Sequence, residues 1–295
     1  MGRFIKLIFI SVFLITALLS CTAPILIDTH DSEPVIVIYG CLTNEYRYQS
    51  VRITSSSPYF DSNKNEAVSD ADVRIEDSEG NDYKLFYVKD GYYYSSSVFA
   101  VRPGITYKLT VNVDFDRDGD NEIYEAETTI PSAFSADSIE IKPMGIMGFR
   151  HFSLNIYLQD PVETNDFYLF KFFVNDSLSN DQISKFAVAD DEMFNGEYLS
   201  GISVFYFEDA TDEKVVEMNK NNDNAYMVLS GDIVRLQIIN IEKGYYNFIN
   251  ECASEMRGEN PMFGGPPSNI STNISNGAVG YFTGYCIREL TTVIP

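Results

Sequence analysis

The sequence has no tryptophan, two histidines and four cysteines in 295 residues. With no CxxC and no Cys/His cluster, a zinc site built from those ligands is excluded. The histidines, His30 and His151, leave little for imidazole chemistry, and a Ser-His-Asp arrangement would have to use His151. HExxH, GxSxG and glycine-rich phosphate loops are absent. Nothing among the 43 acids singles out a glycosidase-type carboxylate pair. Basic residues are scarce: 21 Lys and Arg stand against 43 Asp and Glu, a net charge of −22. Such a surface repels phosphate backbones and anionic headgroups, which argues against nucleic-acid binding. Apart from one stretch near the N-terminus, no run is long and apolar enough to span a bilayer.

That stretch reads as a lipoprotein signal peptide. Arg3 and Lys6 form a positive n-region, residues 7–15 an apolar h-region, and Leu18-Leu19-Ser20-Cys21 a lipobox. Cys21 becomes the lipidated first residue after removal of 1–20. The remaining chain has 19 basic against 43 acidic residues, a net of −24. Residues 21–34 carry Pro24, Pro34 and several acids and read as a tether, with a fully extended reach of about 45–50 Å.

The composition is that of a β protein, with 20 Tyr and 21 Phe and many Thr, Val and Ile. Residues 35–40, 49–54, 71–77, 83–88, 92–94, 106–111 and 125–130 read as short strands separated by turn signals such as Gly80-Asn81, Asp90-Gly91 and Pro103-Gly104. Within 71–76, Ala71, Val73 and Ile75 alternate with Asp72, Arg74 and Glu76. That spacing predicts a β-sandwich of immunoglobulin-like architecture over 35–133. The missing tryptophan and missing paired cysteines argue against a true antibody-type domain. Residues 134–295 read as a second, β-rich domain, sandwich or barrel, with strands at 138–142, 152–158, 167–174, 202–207, 233–238 and 279–286. Residues 179–197 carry no assignable pattern, and 208–224 read as a charged hairpin or loop. One amphipathic helix is expected over 243–257, where Tyr245, Phe248, Ile249, Cys252 and Met256 recur at three- and four-residue steps; Gly258 and Pro261 stop it.

Once Cys21 is lipidated, Cys41, Cys252 and Cys286 remain. Cys252 and Cys286 are the candidate disulfide; closing that 34-residue separation is worth roughly 4 kcal/mol in the chain-entropy picture. The alternative is three buried small hydrophobes. Tyr92-Tyr93-Tyr94 and Tyr245-Tyr246 read as packing residues rather than as platforms for stacking sugars.

These landmarks in order resemble a Bacteroidota lipoprotein family catalogued as a domain of unknown function, number 4249. The segments are the lipobox and acidic tether, a first strand ending at Tyr39-Gly40, then Arg52-Ile53-Thr54-Ser55-Ser56-Ser57-Pro58-Tyr59-Phe60, and Val68-Ser69-Asp70-Ala71-Asp72-Val73. They continue with Gly91-Tyr92-Tyr93, Pro103-Gly104-Ile105-Thr106-Tyr107, Ile130-Pro131, Asn260-Pro261-Met262-Phe263, Pro266-Pro267 and a final Gly-Tyr-Phe strand. The resemblance implies a surface or outer-membrane lipoprotein working beside a TonB-dependent transporter, and it carries over no catalytic residues. One departure stands out: the hairpin after Thr106-Tyr107, usually short in that family, is here long and acidic.

That hairpin reads Asp114-Phe115-Asp116-Arg117-Asp118-Gly119-Asp120-Asn121-Glu122. Alternating aspartates and a glycine supply hard oxygens and a sharp turn, the requirements of Ca²⁺. The flanks are strands, so the pattern resembles strand-loop-strand calcium hairpins, with Asp114, Asp116, Asp118, Asp120 and Glu122 as candidate ligands and Glu125 on the following strand. The other reading is a solvated acidic loop. Asp137-Ser138-Ile139 and Asp176-Ser177-Leu178 match a short bacterial O-glycosylation pattern at Ser138 and Ser177. The expectation is a non-enzymatic protein anchored to the outer membrane by lipid, at the cell surface or periplasmic face, serving a TonB-dependent barrel. A structural or adhesive surface module is the alternative, and a hydrolase without a recognisable motif comes third.

Overall fold

The structure, a computed structural model, describes residues 34–57, 65–132, 134–146, 149–222, 225–257 and 270–295. The lipobox with Cys21, nearly all of the tether, and the stop residues Gly258 and Pro261 lie outside the described residues. The first half contributes β1 (Ile36–Thr43), β2 (Ser50–Ser55), β3 (Asp72–Asp77), β4 (Asp82–Lys89), β5 (Tyr92–Ser95), β6 (Thr106–Val113) and β7 (Glu122–Thr129). The second contributes β8 (Ser135–Ile146), β9 (Phe149–Gln159), β10 (Phe167–Val174), β11 (Ser177–Leu178), β12 (Ala187–Asp190), β13 (Tyr198–Asp209), β14 (Met227–Val228), β15 (Ile233–Ile241) and β16 (Val279–Val293). Two α-helices join them, α1 (Glu213–Asn219) and α2 (Lys243–Arg257). The fold is mainly β and sandwich-like.

The first core follows directly from period-two alternation. Tyr107, Leu109, Val111 and Val113 of β6, Val73 and Ile75 of β3, and Tyr124 and Ala126 of β7 point inward, while their neighbours carry the charge. Ile36, Ile38, Val51, Ile53 and Tyr93 complete it. The second core lies between a four-stranded sheet in the order β14-β13-β9-β8 and the sheet of β10, β15 and β16. Leu154, Ile156 and Leu158 meet Phe172, Leu236 and Ile238 there. The opposite face of β10 and β15 is covered by α2, through Tyr245, Phe248, Ile249 and Cys252 against Leu169, Ile239 and Ile241. Burial on both faces explains why 167–174 and 233–241 read as nearly continuous apolar runs.

β16 is the feature that the division at 133/134 did not anticipate. Residues 279–285 run parallel to β1, and residues 286–293 pair antiparallel with β15. One twelve-stranded sheet therefore runs through both halves, in the order β11-β10-β15-β16-β1-β2-β5-β4-β3-β6-β7, with β12 beside β10. The C-terminal strand also supplies Phe282 to the first core. The β1–β16 pairing requires glycine at position 280, where φ is +108° and a Cβ would lie 2.1 Å from the Ile38 carbonyl oxygen. The outer edge of β7 is occupied too: Glu125 donates its N–H to Ser275 Oγ and accepts from Ser275 N, and Asn273 Nδ2 donates to the Glu127 carbonyl. A covered edge cannot template another strand.

Three expectations need correcting. The segment 208–224 contains α1, started by Asp212, whose carboxylate accepts from Lys214 N. The apolar stripe of α2 ends at Cys252 and Ala253, and Met256 is exposed. The three described cysteines are all free, so Cys252 and Cys286 form no bridge. On β16, Tyr281, Tyr285 and Ile287 face α2, whereas Phe282 and Cys286 face the first core. Alternation therefore turns the Cys286 thiol to the side of the sheet away from Cys252.

Candidate functional site

Three arrangements of side chains could carry function. The first is the acidic hairpin between β6 and β7. Four carboxylates, those of Asp114, Asp116, Asp118 and Glu122, each place an oxygen within 4.8 Å of the others. The loop holds itself in this shape by side chain-to-backbone bonds. Asp116 accepts from Asp118 N (3.1 Å), Asp118 from Asp120 N (2.8 Å), Asp114 from Gly119 N (3.2 Å) and Glu122 from Phe115 N (2.8 Å). Arg117 (φ +65°) and Gly119 (φ +102°) are in the left-handed region that closes the turn. Arg117 reaches out to pair with Asp70. Asp114 Oδ1 is buried without a hydrogen-bond partner. Of the five candidate ligands the loop gathers four; Asp120 stands outside the cluster. Glu125 lies on β7 and pairs with Lys108 Nζ at 2.7 Å. Gathering four carboxylates costs repulsion that a divalent cation would relieve.

The second arrangement gave no sequence signal. Asp160, Asp166 and Asp191 are all buried, and their carboxylates also lie within 4.8 Å of one another. They come from the end of β9, the approach to β10 and the turn after β12. Each is held by bonds: Asp160 accepts from Tyr168 OH and Gly196 N, Asp166 from Thr164 Oγ1 and Asn240 Nδ2, and Asp191 from Asp166 N. Burial raises Asp160 above the usual carboxylate range, with Asp191 and Asp166 adding to the effect. The Tyr168 and Gly196 bonds oppose the rise. Asp160 and Asp166 share the short β9–β10 connection, but Asp191 is 25 residues further on, so spacing does not reveal the group.

The third is an aromatic groove on the outer face of the first sheet. Tyr93 points inward and is fully buried, as expected of a packing residue. Its neighbours do not: Tyr92 is exposed and Tyr94 half-buried, their rings stacked at 6.2 Å and 27°. Phe86 lies opposite Tyr94, and Lys89 opposite Tyr92. Core or half-buried packing thus describes Tyr93 and Tyr94 but not Tyr92, which alternation turns outward onto a face that is open among the described residues. Phe86 and Tyr94, with Arg47, Tyr48, Val88, Ser95 and Ser96, line a groove of about 620 Å³; Tyr92 is not part of its lining. Tyr245, by contrast, is buried beneath α2, with its OH 2.7 Å from that of Tyr39.

The remaining candidate residues are scattered. His151 Nδ1 lies 2.8 Å from Glu208 Oε2, and no hydroxyl is hydrogen-bonded to His151 among the described residues. Ser138 and Ser177 are exposed, on β8 and β11. Among the described residues no helix is long and apolar enough to cross a membrane.

No curated protein matches the chain. A family model described as "Domain of unknown function (DUF4249)" matches residues 22–291, most of the chain, and the chain belongs to that family.

Proposed function

We propose that this chain is a non-enzymatic, lipid-anchored outer-membrane protein of Bacteroidota that captures a ligand for, or covers, a TonB-dependent barrel. The observation that carries the address is Leu18-Leu19-Ser20-Cys21 behind an apolar stretch. The open aromatic groove supports ligand capture, because a concave, largely preformed apolar cleft is the usual form of a binding site. Pull-down from native outer membranes tests the reading. The expected result is co-purification of a barrel protein with the wild type, and its loss with Cys21→Ser, which stays unacylated. A protein recovered alone and without lipid refutes it.

A second element is Ca²⁺ in the β6–β7 hairpin, favoured by the convergence of Asp114, Asp116, Asp118 and Glu122. The ion would stiffen the hairpin rather than take part in chemistry. Calorimetry is expected to give one calcium site that Asp116→Ala abolishes. No heat up to millimolar calcium refutes it.

A further inference from the structure

We propose that Ser138 and Ser177 carry O-linked glycans, and that these glycans guard the two sheet ends on which the serines stand. The inference rests on export, the first part of the reading above, and adds two modification sites and what they do.

The first observation is that both acceptors are open. Of six Asp-Ser and Asp-Thr pairs in the chain, only Asp137-Ser138 and Asp176-Ser177 are followed by an aliphatic residue, Ile139 and Leu178. Both serines are exposed, and neither hydroxyl has a hydrogen-bond partner among the described residues. Both stand where the backbone leaves regular pairing. A register shift separates Ala136 from Ser138 in the β8–β9 ladder. Ser177 follows a two-residue hairpin turn, Asn175-Asp176, with positive φ at both residues (+48° and +65°). A transferase must seat three consecutive residues in its own cleft, and an edge bulge and a hairpin tip offer such a stretch free on one side. The aspartates are lightly held: Asp137 accepts from Tyr198 OH at 3.0 Å, and the exposed Asp176 contacts Arg235 Nη2 at 3.3 Å. The transfer takes a glycosyl diphosphate as donor. Ser Oγ attacks the anomeric carbon, and the Oγ–C bond forms as that carbon's bond to the diphosphate oxygen breaks. The hydroxyl proton passes to a base of the transferase, and the diphosphate leaves with the bonding pair.

The second observation is where they lie. β8 is an outer strand of the four-stranded sheet, and β11 ends the twelve-stranded one. The opposite ends are managed otherwise: β7 is covered by Asn273 and Ser275, and β14 is two residues long. β8 runs for twelve residues, and among the described residues only β9 hydrogen-bonds to its backbone. A free edge of that length is a template for another strand. Lys142 and Pro143 blunt its second half, one by charge and the other by lacking an N–H. Ser138 lies in the first half. It is on the solvent face, as Glu140 and Lys142 are, while Ala136 and Ile141 enter the second core. A glycan is wider than the strand spacing of about 4.8 Å, so at Ser138 it occupies the place of an incoming strand. A glycan at Ser177 does the same at the end of the large sheet.

The test uses the full chain, purified in detergent from native membranes. Digestion and mass spectrometry with electron-transfer fragmentation are expected to find a glycan mass on the Ser138 and Ser177 peptides. None is expected on Ser78, because Asp77-Ser78-Glu79 lacks the aliphatic residue. Ser138→Ala and Ser177→Ala should each remove one increment, and the double variant both. Both serines are exposed, so neither change removes a buried contact. The guarding role is read by sedimentation velocity. Ser138→Ala should sediment as larger species than wild type at equal concentration. Ser138→Lys, which lacks the glycan but sets a charge on the edge, should return to the wild-type coefficient. An unmodified Ser138 or Ser177 peptide overturns the assignment at that position. Ser138→Ala sedimenting as wild type, or Ser138→Lys associating as Ser138→Ala does, overturns the guarding role. Acylation of Cys21 is read from the N-terminal peptide of the same digest. An acylated chain without glycan overturns this proposal and leaves the address standing, and a glycosylated chain without lipid does the reverse.

Discussion

Replacing Phe282 by alanine tests whether the two halves of the molecule melt as one. Phe282 is fully buried, lies opposite Gly40 in the β1–β16 pairing, and fills the space that the glycine leaves; a Cβ at position 40 would sit 2.8 Å from its Cδ2. Its backbone is clamped by Asn273, which accepts from Phe282 N at 2.9 Å and donates to its carbonyl at 2.7 Å. Little can collapse into the hole, so the substitution should cost about 3–5 kcal/mol. For a cooperative unit of this size that lowers Tm by roughly 6–20 °C. The ring belongs to the first core, but its strand continues as residues 286–293 into the sheet over the second core. Calorimetry and near-ultraviolet circular dichroism should therefore show one transition, moved by Phe282→Ala as a whole. Leu236→Ala, in the second core, should move the same transition. Two resolved transitions, with each substitution moving only its own, would show that β16 does not couple the halves and would refute the reasoning.

Gly280→Ala should destabilise by more than about 1 kcal/mol in urea unfolding, because the residue needs positive φ and its Cβ meets a carbonyl. An unchanged midpoint would count against the β1–β16 register. Asp160→Asn and Asp77→Asn should shift the pH dependence of stability in opposite senses. Burial holds Asp160 above the usual carboxylate range, so its contribution is present at acid pH and lost as pH rises through its folded value; the asparagine variant gains on wild type towards neutrality. At Asp77 burial is outweighed by bonds from the Asn81 side chain and from Asn81 and Glu79 N–H. Its contribution is therefore present at neutral pH and lost as pH falls through its folded value, and the variant closes on wild type in acid. Urea midpoints that move in parallel for the two variants between pH 4 and 8 would contradict both assignments. Reductant should leave Tm unchanged, since Cys41, Cys252 and Cys286 are free; an intact mass short of two hydrogens would refute that.

Strands were legible wherever one face is buried and the other wet. The alternation in β3, β6 and β7 gives both the element and its inward residues, and the 245-248-249-252 stripe gives the helix and the side on which it lies. Two things escaped. Alternation names two faces without saying which of them will be covered. Tyr92 therefore reads as packing like its half-buried neighbour Tyr94, although it is exposed. Nor does a strand's own pattern name its neighbours. Residues 279–286 read as a terminal strand of the second domain, although their first seven residues pair with β1, more than 230 positions earlier in the chain.

The two acidic groups show how sequence distance decides what can be read. In the hairpin, Asp114, Asp116, Asp118 and Glu122 fall within one turn, and the bonds that shape the loop join residues two to seven positions apart. Any folded form of that turn brings the carboxylates together, so spacing alone identifies the cluster and even sets Glu125 apart on its strand. Asp160 and Asp166 bound the short β9–β10 connection, and Asp191 joins them only because β10 pairs with β12. Each is unremarkable locally, an acid at a strand end where turn chemistry favours it. The physical stakes run the other way. The exposed hairpin can let water screen its charge, whereas the buried trio must be compensated by hydrogen bonds, and its burial raises Asp160 above the usual carboxylate range. The buried group is thus the one less visible before folding, because what makes it costly, two chain segments converging out of water, is itself a product of the topology.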